Sequence, residues 1–474
     1  MSEADPEVAS PEAEVEAEGE GGEQETADKS GAEQEQKETA DANADKGGED
    51  EDGGGDDAVE EGADEGEDDE EDLDQIVTAV VPRLDDLVVK CLAENYDVYP
   101  ALDRIPPEYL DNVVALLDPS QIVFTVATKF IESEKFWKRL CQERWPICEL
   151  ANHGMSWKRM YVERHLWSLF EAYYPSNHGQ NFEKLMTEVN AGKSFVHTVT
   201  IQQLLSHLDL SDILTNFPHL TTLNLKYGAR KLGMDYDKSL FGMHLKDAMM
   251  LAKLFASSRS LTRVCLNENL LGDESVHIIC SGLARNDTIL QLDLSHNKIG
   301  DVGAKRISRV LRGMSVLTEL DLGDNNIHSE GGQELGNALA NNSTLRSFSM
   351  KLNPIGDQAG IKIMEALQTN TSLTSLNMCG TSLTPDAGSH LTDLISQNKS
   401  LTHLDFSCND FTPDDGTAIK GALVSNSALL SMDLRRNKIE DDALKELSNV
   451  LNTRYAEDKR RRRKLYQQGW DEAL

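Results

Sequence analysis

The chain has 474 residues, room for two or three domains, and a formal net charge of -36, from 82 acidic and 46 basic residues. Its seven cysteines are odd in number and contain no CxxC pair, which argues against a disulfide framework or a zinc ribbon and fits a reducing intracellular compartment. The opening residues are acidic rather than basic then apolar, and no apolar run is long enough for a span, so neither a signal peptide nor a membrane helix is expected.

The charge is concentrated at the start. Residues 1–74 hold 33 acidic residues against three lysines, whereas the rest of the chain carries 49 acidic and 43 basic residues. The first segment is rich in Glu, Asp, Gly and Ala and has no aromatic residue, so it cannot bury enough apolar surface to offset its ordering entropy. A disordered acidic tail over 1–74 is expected, acting as a solubilising segment or contacting a basic partner.

Residues 75–190 read as a Trp-rich helical module. Leu84, Leu87, Val88, Cys91 and Leu92 recur at helical spacing after Pro82, placed here at a first helical position. Val113, Val114 and Leu117 follow Ile105-Pro106-Pro107 in the same way. Trp137, Trp145, Trp157 and Trp167 lie within two related stretches, FWKRLCQERWP and SWKRMYVERHLW. The rings are expected to fill a small helical core or to dock on the repeats that follow. The alternative is an independent docking module. A repeat array needs a cap at its open end, and this segment is placed to supply one.

From 191 to 455 a repeat dominates. The pattern L-x-x-L-x-L-x-x-N-x-L opens at Leu261, Ile289, Leu317, Leu345, Leu373, Leu401 and Leu429, each 28 residues after the last. A fixed period of this kind marks a solenoid. In the block at Ile289, Leu292 and Leu294 alternate as in a strand and face the core, while Gln291, Asp293 and Ser295 face outward. Asn297 stands where the chain leaves the strand, and its amide can bond the adjacent repeat's backbone. Asn269, Asn325, Asn353, Asn409 and Asn437 repeat it, with Thr381 the departure. Each second half has helical spacing and one apolar anchor: Leu283, Leu311, Leu339, Leu367, Ile395, Leu423 and Leu451. One strand and one helix per repeat predicts an α/β leucine-rich repeat horseshoe. Val196, Val199 and Ile201, then Leu220, Leu223 and Leu225, predict two earlier strands. The wider spacing from Leu220 to Leu261 predicts an insertion near 226–248.

The outward strand positions are the candidate protein-binding face. Arg263, Glu268, Asp293, His296, Glu319, Asp321 and Asp324 give an acidic stretch with one leading arginine, and Arg346, Lys351, His403, Arg435 and Arg436 turn the later part basic. A surface graded in charge suits a protein partner. Leu290, Leu352 and Leu430 are apolar outliers on that face. The segment 456–474 carries a basic contact candidate, Lys459, Arg460, Arg461, Arg462, Arg463 and Lys464, able to meet an acidic surface, RNA or a membrane, or to act as a nuclear signal.

Catalytic and cofactor motifs fail on inspection. Gly192-Lys193-Ser194 lacks the Gly of a phosphate loop at position 187, which is Thr. HExxH and GxSxG are missing. The aspartates Asp293, Asp321, Asp405 and Asp433 lie one repeat apart and are expected to be solvated rather than to form a metal cage. No catalytic residue, cofactor, metal, small-molecule substrate or membrane partner is expected.

The stretch Leu292–Ala304, LDLSHNKIGDVGA, resembles the ribonuclease-inhibitor class of leucine-rich repeats over about 196–455. The order of Trp-rich helices, repeats with an early insertion and a short charged end resembles the t-complex-associated testis-expressed protein 1 family over about 75–474. That family is a leucine-rich repeat subunit, subunit 5, of the nexin–dynein regulatory complex of motile cilia and flagella. The resemblance implies a non-enzymatic scaffold in the axonemal cytoskeleton that links outer doublet microtubules and regulates dynein-driven motility. It implies the other subunits of that complex as partners, with tubulin and inner-arm dynein as further candidates. Two alternatives remain at this point. IPPEYLDNVVALLD before FWKRLCQERWP suggests an F-box-like ubiquitin-ligase receptor, and the acidic tail with this repeat class suggests a Ran GTPase-activating-protein-like regulator.

Overall fold

A computed structural model describes residues 82–471, except 99, 119–120, 174–177, 205–207, 209, 229–240 and 314–315. The acidic tail expected over 1–74 and the middle of the expected insertion lie outside the described residues.

Four helices come first: α1 (Leu84–Glu94), α2 (Pro107–Leu116), α3 (Phe124–Phe130) and α4 (Glu134–Arg144). Pro107, not Pro82, takes the first helical position; Pro82 precedes Arg83, the residue that caps α1. Val89, Tyr96, Val113, Val114, Leu117, Ile131, Phe136 and Trp137 form one core. Trp137 is fully buried, and its indole N–H donates to the Ile131 carbonyl at 3.0 Å. The Arg139 guanidinium donates to the Ala115 and Leu117 carbonyls at 2.7 Å each, satisfying the open C-terminal end of α2. The apolar spacing of α1 points to a helix but to the wrong inner face. Val89 is inside, and Leu84, Leu87, Val88 and Leu92 are exposed.

Helices α5 (Trp157–Ala172) and α6 (His178–Gly192) put Val162, Leu166, Phe170, Leu185 and Val189 into the core of the repeats, while Trp157 and Tyr161 at the start of α5 pack against the α1–α4 core. The Ser156 hydroxyl caps α5, accepting from the Arg159 amide.

Nine strands then form one parallel sheet in chain order: β1 (Thr198–Leu204), β2 (Thr222–Tyr227), β3 (Arg263–Cys265), β4 (Gln291–Asp293), β5 (Glu319–Asp321), β6 (Ser347–Ser349), β7 (Ser375–Asn377), β8 (His403–Asp405) and β9 (Ser431–Asp433). Between them run a single turn, α7 (Ser211–Leu214), then α8 (Leu245–Ser257), α9 (Asp273–Leu283), α10 (Asp301–Arg312), α11 (Ser329–Leu339), α12 (Gly356–Thr369), α13 (Gly388–Gln397) and α14 (Pro413–Ser425). The long α15 (Asp441–Asp471) follows β9. Register advances by one repeat per strand: Leu292 sits beside Leu320, and Leu320 beside Phe348. Strands stack about 4.8 Å apart and packed helices about 8–10 Å apart, so the strand side must be the concave one.

The apolar positions of each repeat, Leu292, Leu294, Ile299 and Leu311 among them, are buried in one continuous core. Each strand-exit asparagine binds both neighbours of the gap it fills. Asn297 donates to the carbonyls of Leu266, Leu294 and Ser295 and accepts from the amides of Asn269 and Leu271. Thr381 donates to the Met378 carbonyl within its own repeat, at 2.8 Å, and to Asn409 Oδ1 of the next, at 3.4 Å. The Ile355 amide turns instead to the Asn353 carbonyl, and Gly356 adopts φ +68°, a left-handed conformation that glycine tolerates best. A second buried asparagine row follows the helices. Asn286, Asn342, Asn370, Asn398 and Asn426 each donate to a carbonyl of the preceding helix, as Asn286 does to Phe255.

The open edge of β1 is closed by α5. Glu163, fully buried, accepts from the amides of His197 (2.7 Å) and Thr198 (2.9 Å), from Arg159 Nε (3.0 Å) and from His153 Nδ1 (2.5 Å). One turn on, Trp167 donates to the Thr198 carbonyl; another turn on, Glu171 accepts from the Gln202 amide. Residues at i, i+4 and i+8 of one helix face thus supply the bonds that a neighbouring strand would have made.

The expected insertion is narrower than 226–248. Lys226 and Tyr227 belong to β2, Gly228 and Phe241 form an isolated antiparallel bridge, and α8 starts at Leu245.

Candidate functional site: the strand face

Two side-chain rows cross the sheet. The first runs Arg263, Gln291, Glu319, Ser347, Ser375, His403 and Ser431, and the second Cys265, Asp293, Asp321, Ser349, Asn377, Asp405 and Asp433. Arg263 Nε bonds the Gln291 amide oxygen, and Glu319 is exposed.

The aspartates are not a simply solvated row. Each accepts from the amide two residues on: Asp293 from Ser295 (2.9 Å), Asp321 from Gly323 (2.8 Å), Asp405 from Ser407 (3.0 Å) and Asp433 from Arg435 (2.9 Å). These turns end the strands. Ser295, expected to face outward, is buried because its hydroxyl follows its amide to Asp293. No cluster of three or more His, Cys, Asp or Glu suited to a metal occurs among the described residues.

The residue before each strand-exit asparagine is left-handed: Glu268, His296, Asp324, Leu352, Gly380, Cys408 and Arg436 all have φ between 53° and 63°. Their amides donate to the next repeat, as His296 does to Gly323 and Asp324 to Lys351. The twist turns their side chains onto the rim of the strand face. These seven therefore form one structural row, holding the candidates Glu268, His296, Asp324 and Arg436, which sequence spacing alone did not separate from the strand rows. Glu268 meets Lys226 at 2.8 Å, and His296 Nδ1 meets Asp324 at 2.7 Å.

The remaining candidates spread outward. Arg346 donates to the Ser372 carbonyl at the strand-entry edge, and His403 meets the Thr402 hydroxyl. Lys351 is half-buried, its stem lying over Gly323. Arg435 lies back on Asp433, with Nη2 at 2.5 Å. That contact holds the Asp433 carboxyl below its usual range, and each partner screens the other's charge. The basic end of the face is thus weaker than the sequence implies, with Arg435 exposed but ion-paired and Arg436 exposed beside it. Leu290 and Leu352 are 40% and 49% exposed, whereas Leu430 is half-buried.

Two concavities run together along this surface. One, of about 410 Å³, spans β1–β6 and is lined by both rows from Thr200 to Ser349. The other, of about 470 Å³, joins Glu149, Asn152, Arg164 and Trp167 of the helical segment to Thr198, Thr222 and Arg263. Thr200, Thr222 and Arg263 line both. The trough therefore continues from the strands onto the loop before α5, which sequence reading missed. Arg164 fixes that loop by donating to the Ile147 carbonyl, and with Arg144 it sandwiches Trp145, at 4.5 and 5.0 Å from the ring. The run of charge and threonine along the trough suits polypeptide binding. Burial pushes the thiol of Cys265 up to about 11, and those of Cys141 and Cys280 up to about 12, which makes them poor nucleophiles.

The repeats match the family described as Leucine Rich repeat at residues 285–308, 313–336, 341–364 and 397–420. Dynein regulatory complex subunit 5 of Chlamydomonas reinhardtii is 36% identical over 202 residues, 42% of this chain and 50% of that protein. The chain is thus similar to dynein regulatory complex subunit 5 over about half of that protein. The Homo sapiens protein of that name is 30% identical over 243 residues, 45% of this chain and 48% of its own length. The chain spans about half the length of these curated relatives. A solved internalin from Listeria monocytogenes aligns with 53% of this chain and 70% of its own, at 20% identity and a TM-score of 0.33.

Proposed function

We propose that this chain is a non-enzymatic scaffold subunit of the axonemal nexin–dynein regulatory complex, helping to link outer doublet microtubules and to regulate dynein-driven motility. The observation that carries the reading is the 36% identity to a protein named as a subunit of that complex. The face agrees with it. Core positions barely vary from repeat to repeat, while outward positions run from Arg263 through Glu319 and Ser347 to His403. A partner of fixed shape and graded charge accounts for that difference. Its partners are other subunits of the complex, with tubulin and inner-arm dynein as candidates for further contact, and its place is the ciliary or flagellar axoneme.

The test is fractionation of cilia from cells that carry the chain. After detergent removes the membrane, the chain should sediment with the axoneme, leave it in the same salt step as the complex and co-purify with the complex's subunits. Recovery solely in the detergent-soluble fraction overturns the reading.

A further inference from the structure

Helix α15 does two separate things along its length. Leu447 and Leu451 are buried under the last repeat, and Arg454 Nη2 donates to the Leu423 carbonyl at 2.7 Å. This stripe fades at Asp458, and every side chain from Lys459 to Lys464 is exposed. From the first to the sixth residue an α-helix rises about 7.5 Å and turns through about 500°. The cations therefore point all round the helix rather than to one side.

Such a helix is in conflict with itself. Lys459 and Arg463, and likewise Arg460 and Lys464, are like charges four residues apart, a spacing that destabilises a helix. Asp458 offsets one cation of the run, meeting Arg462 at 2.6 Å. Stable helix here calls for negative charge from outside, delivered from several directions. A flat lipid surface reaches one side, and the run has no apolar face to insert into it. Outside residues 1–74 the chain carries 49 acidic against 43 basic residues, so a short anionic segment that meets mainly these local cations is favoured over a long polyanion that must also lie along the slightly acidic remainder.

We propose that Lys459–Lys464 forms a docking arm for a flexible acidic polypeptide segment, a run of Glu and Asp that wraps the helix. This rests on the helix geometry and stands or falls separately from membership of the axonemal complex.

The test titrates the full chain with a fluorescent oligoglutamate peptide. Saturable binding is expected, with a gain in helical circular dichroism as the repulsion is relieved. Binding should disappear at about 1 M salt, where screening shortens to about 3 Å. The variant Arg460→Gln, Arg461→Gln, Arg463→Gln should melt like the parent, because Gln suits a helix, and should bind about tenfold more weakly or worse. Equal binding by parent and variant overturns the proposal. So does tighter binding of single-stranded RNA of matched charge, or of phosphatidylserine vesicles, than of the peptide.

Discussion

Asn297 shows how one amide holds two repeats together, through three donated and two accepted bonds in a buried site. Each buried group left without a partner costs about 1–3 kcal/mol. Asn297→Ala should therefore lower stability by about 3 kcal/mol or more, read from the urea midpoint. Asn437, near the chain-terminal end and half-buried, should matter less. The strand-exit row was legible in sequence because an amide offers two N–H donors and a separate carbonyl acceptor, enough to bond several backbone groups at once, where a hydroxyl has a single donor. The aspartate turns were not, since the bond from Asp293 to the amide of Ser295 depends on how the strand ends. His165 gives a second prediction at this scale. Burial, with Arg144 2.7 Å from Nδ1, lowers its pKa below 6.5, while Nε2 meets Glu188 at 2.6 Å. The ring is thus held neutral, donating to Glu188 and accepting from Arg144. A depressed folded pKa means that the unfolded chain binds more protons below pH 6.5. The stabilisation is complete above that pH and is lost as pH falls through the folded value. Urea midpoints from pH 7.5 to 5.5 should fall with acid less steeply in His165→Gln than in the parent.

Among elements, α5 is the one whose role the sequence hid. Its aromatic and charged residues suggested a helical core or a docking site, and its closure of the β1 edge needed coordinates. Glu163, Trp167 and Glu171 are spaced as on any helix face, and nothing local says that their partners lie about thirty residues on. The repeat helices were the opposite case. A single anchor such as Leu339 at a fixed period places each one, because burial of one face is the only way to stack them. The outer bounds of the insertion, 226–248, were a few residues too wide because β2 runs on to Tyr227 and α8 starts at Leu245. Removing one partner of a buried ionic group costs about 3–5 kcal/mol, so Glu163→Ala should destabilise the chain by about that much. Hydrogen exchange at the His197 and Thr198 amides should speed up in that variant. Unchanged exchange would mean that β1 needs no closure.

At the scale of the molecule, one strand face carries a trough that begins at Glu149 and Asn152 and runs past Arg263, Asp293, Glu319 and Asp321 to Ser347 and Ser349. The solenoid and the candidate face were both readable from the 28-residue period. Its true electrostatics were not, because turns and the Arg435–Asp433 pair take up much of the apparent charge. That selects the residues to change. Asp321 and Arg435 have structural duties, whereas Glu319 and Arg436 are exposed side chains of the strand face and its rim. The most direct test expresses Glu319→Lys and Arg436→Glu, singly and together, in ciliated cells that lack the parent chain, and measures how much of each variant is retained in demembranated axonemes. Val302→Lys, at an exposed position on α10, is the control on the helical back. The account predicts parent-like melting for all of them, normal retention of the control, and reduced retention of the strand-face variants, most of all the double one. Full retention of the double variant, or equal loss of the control, would contradict the assignment of binding to the strand face.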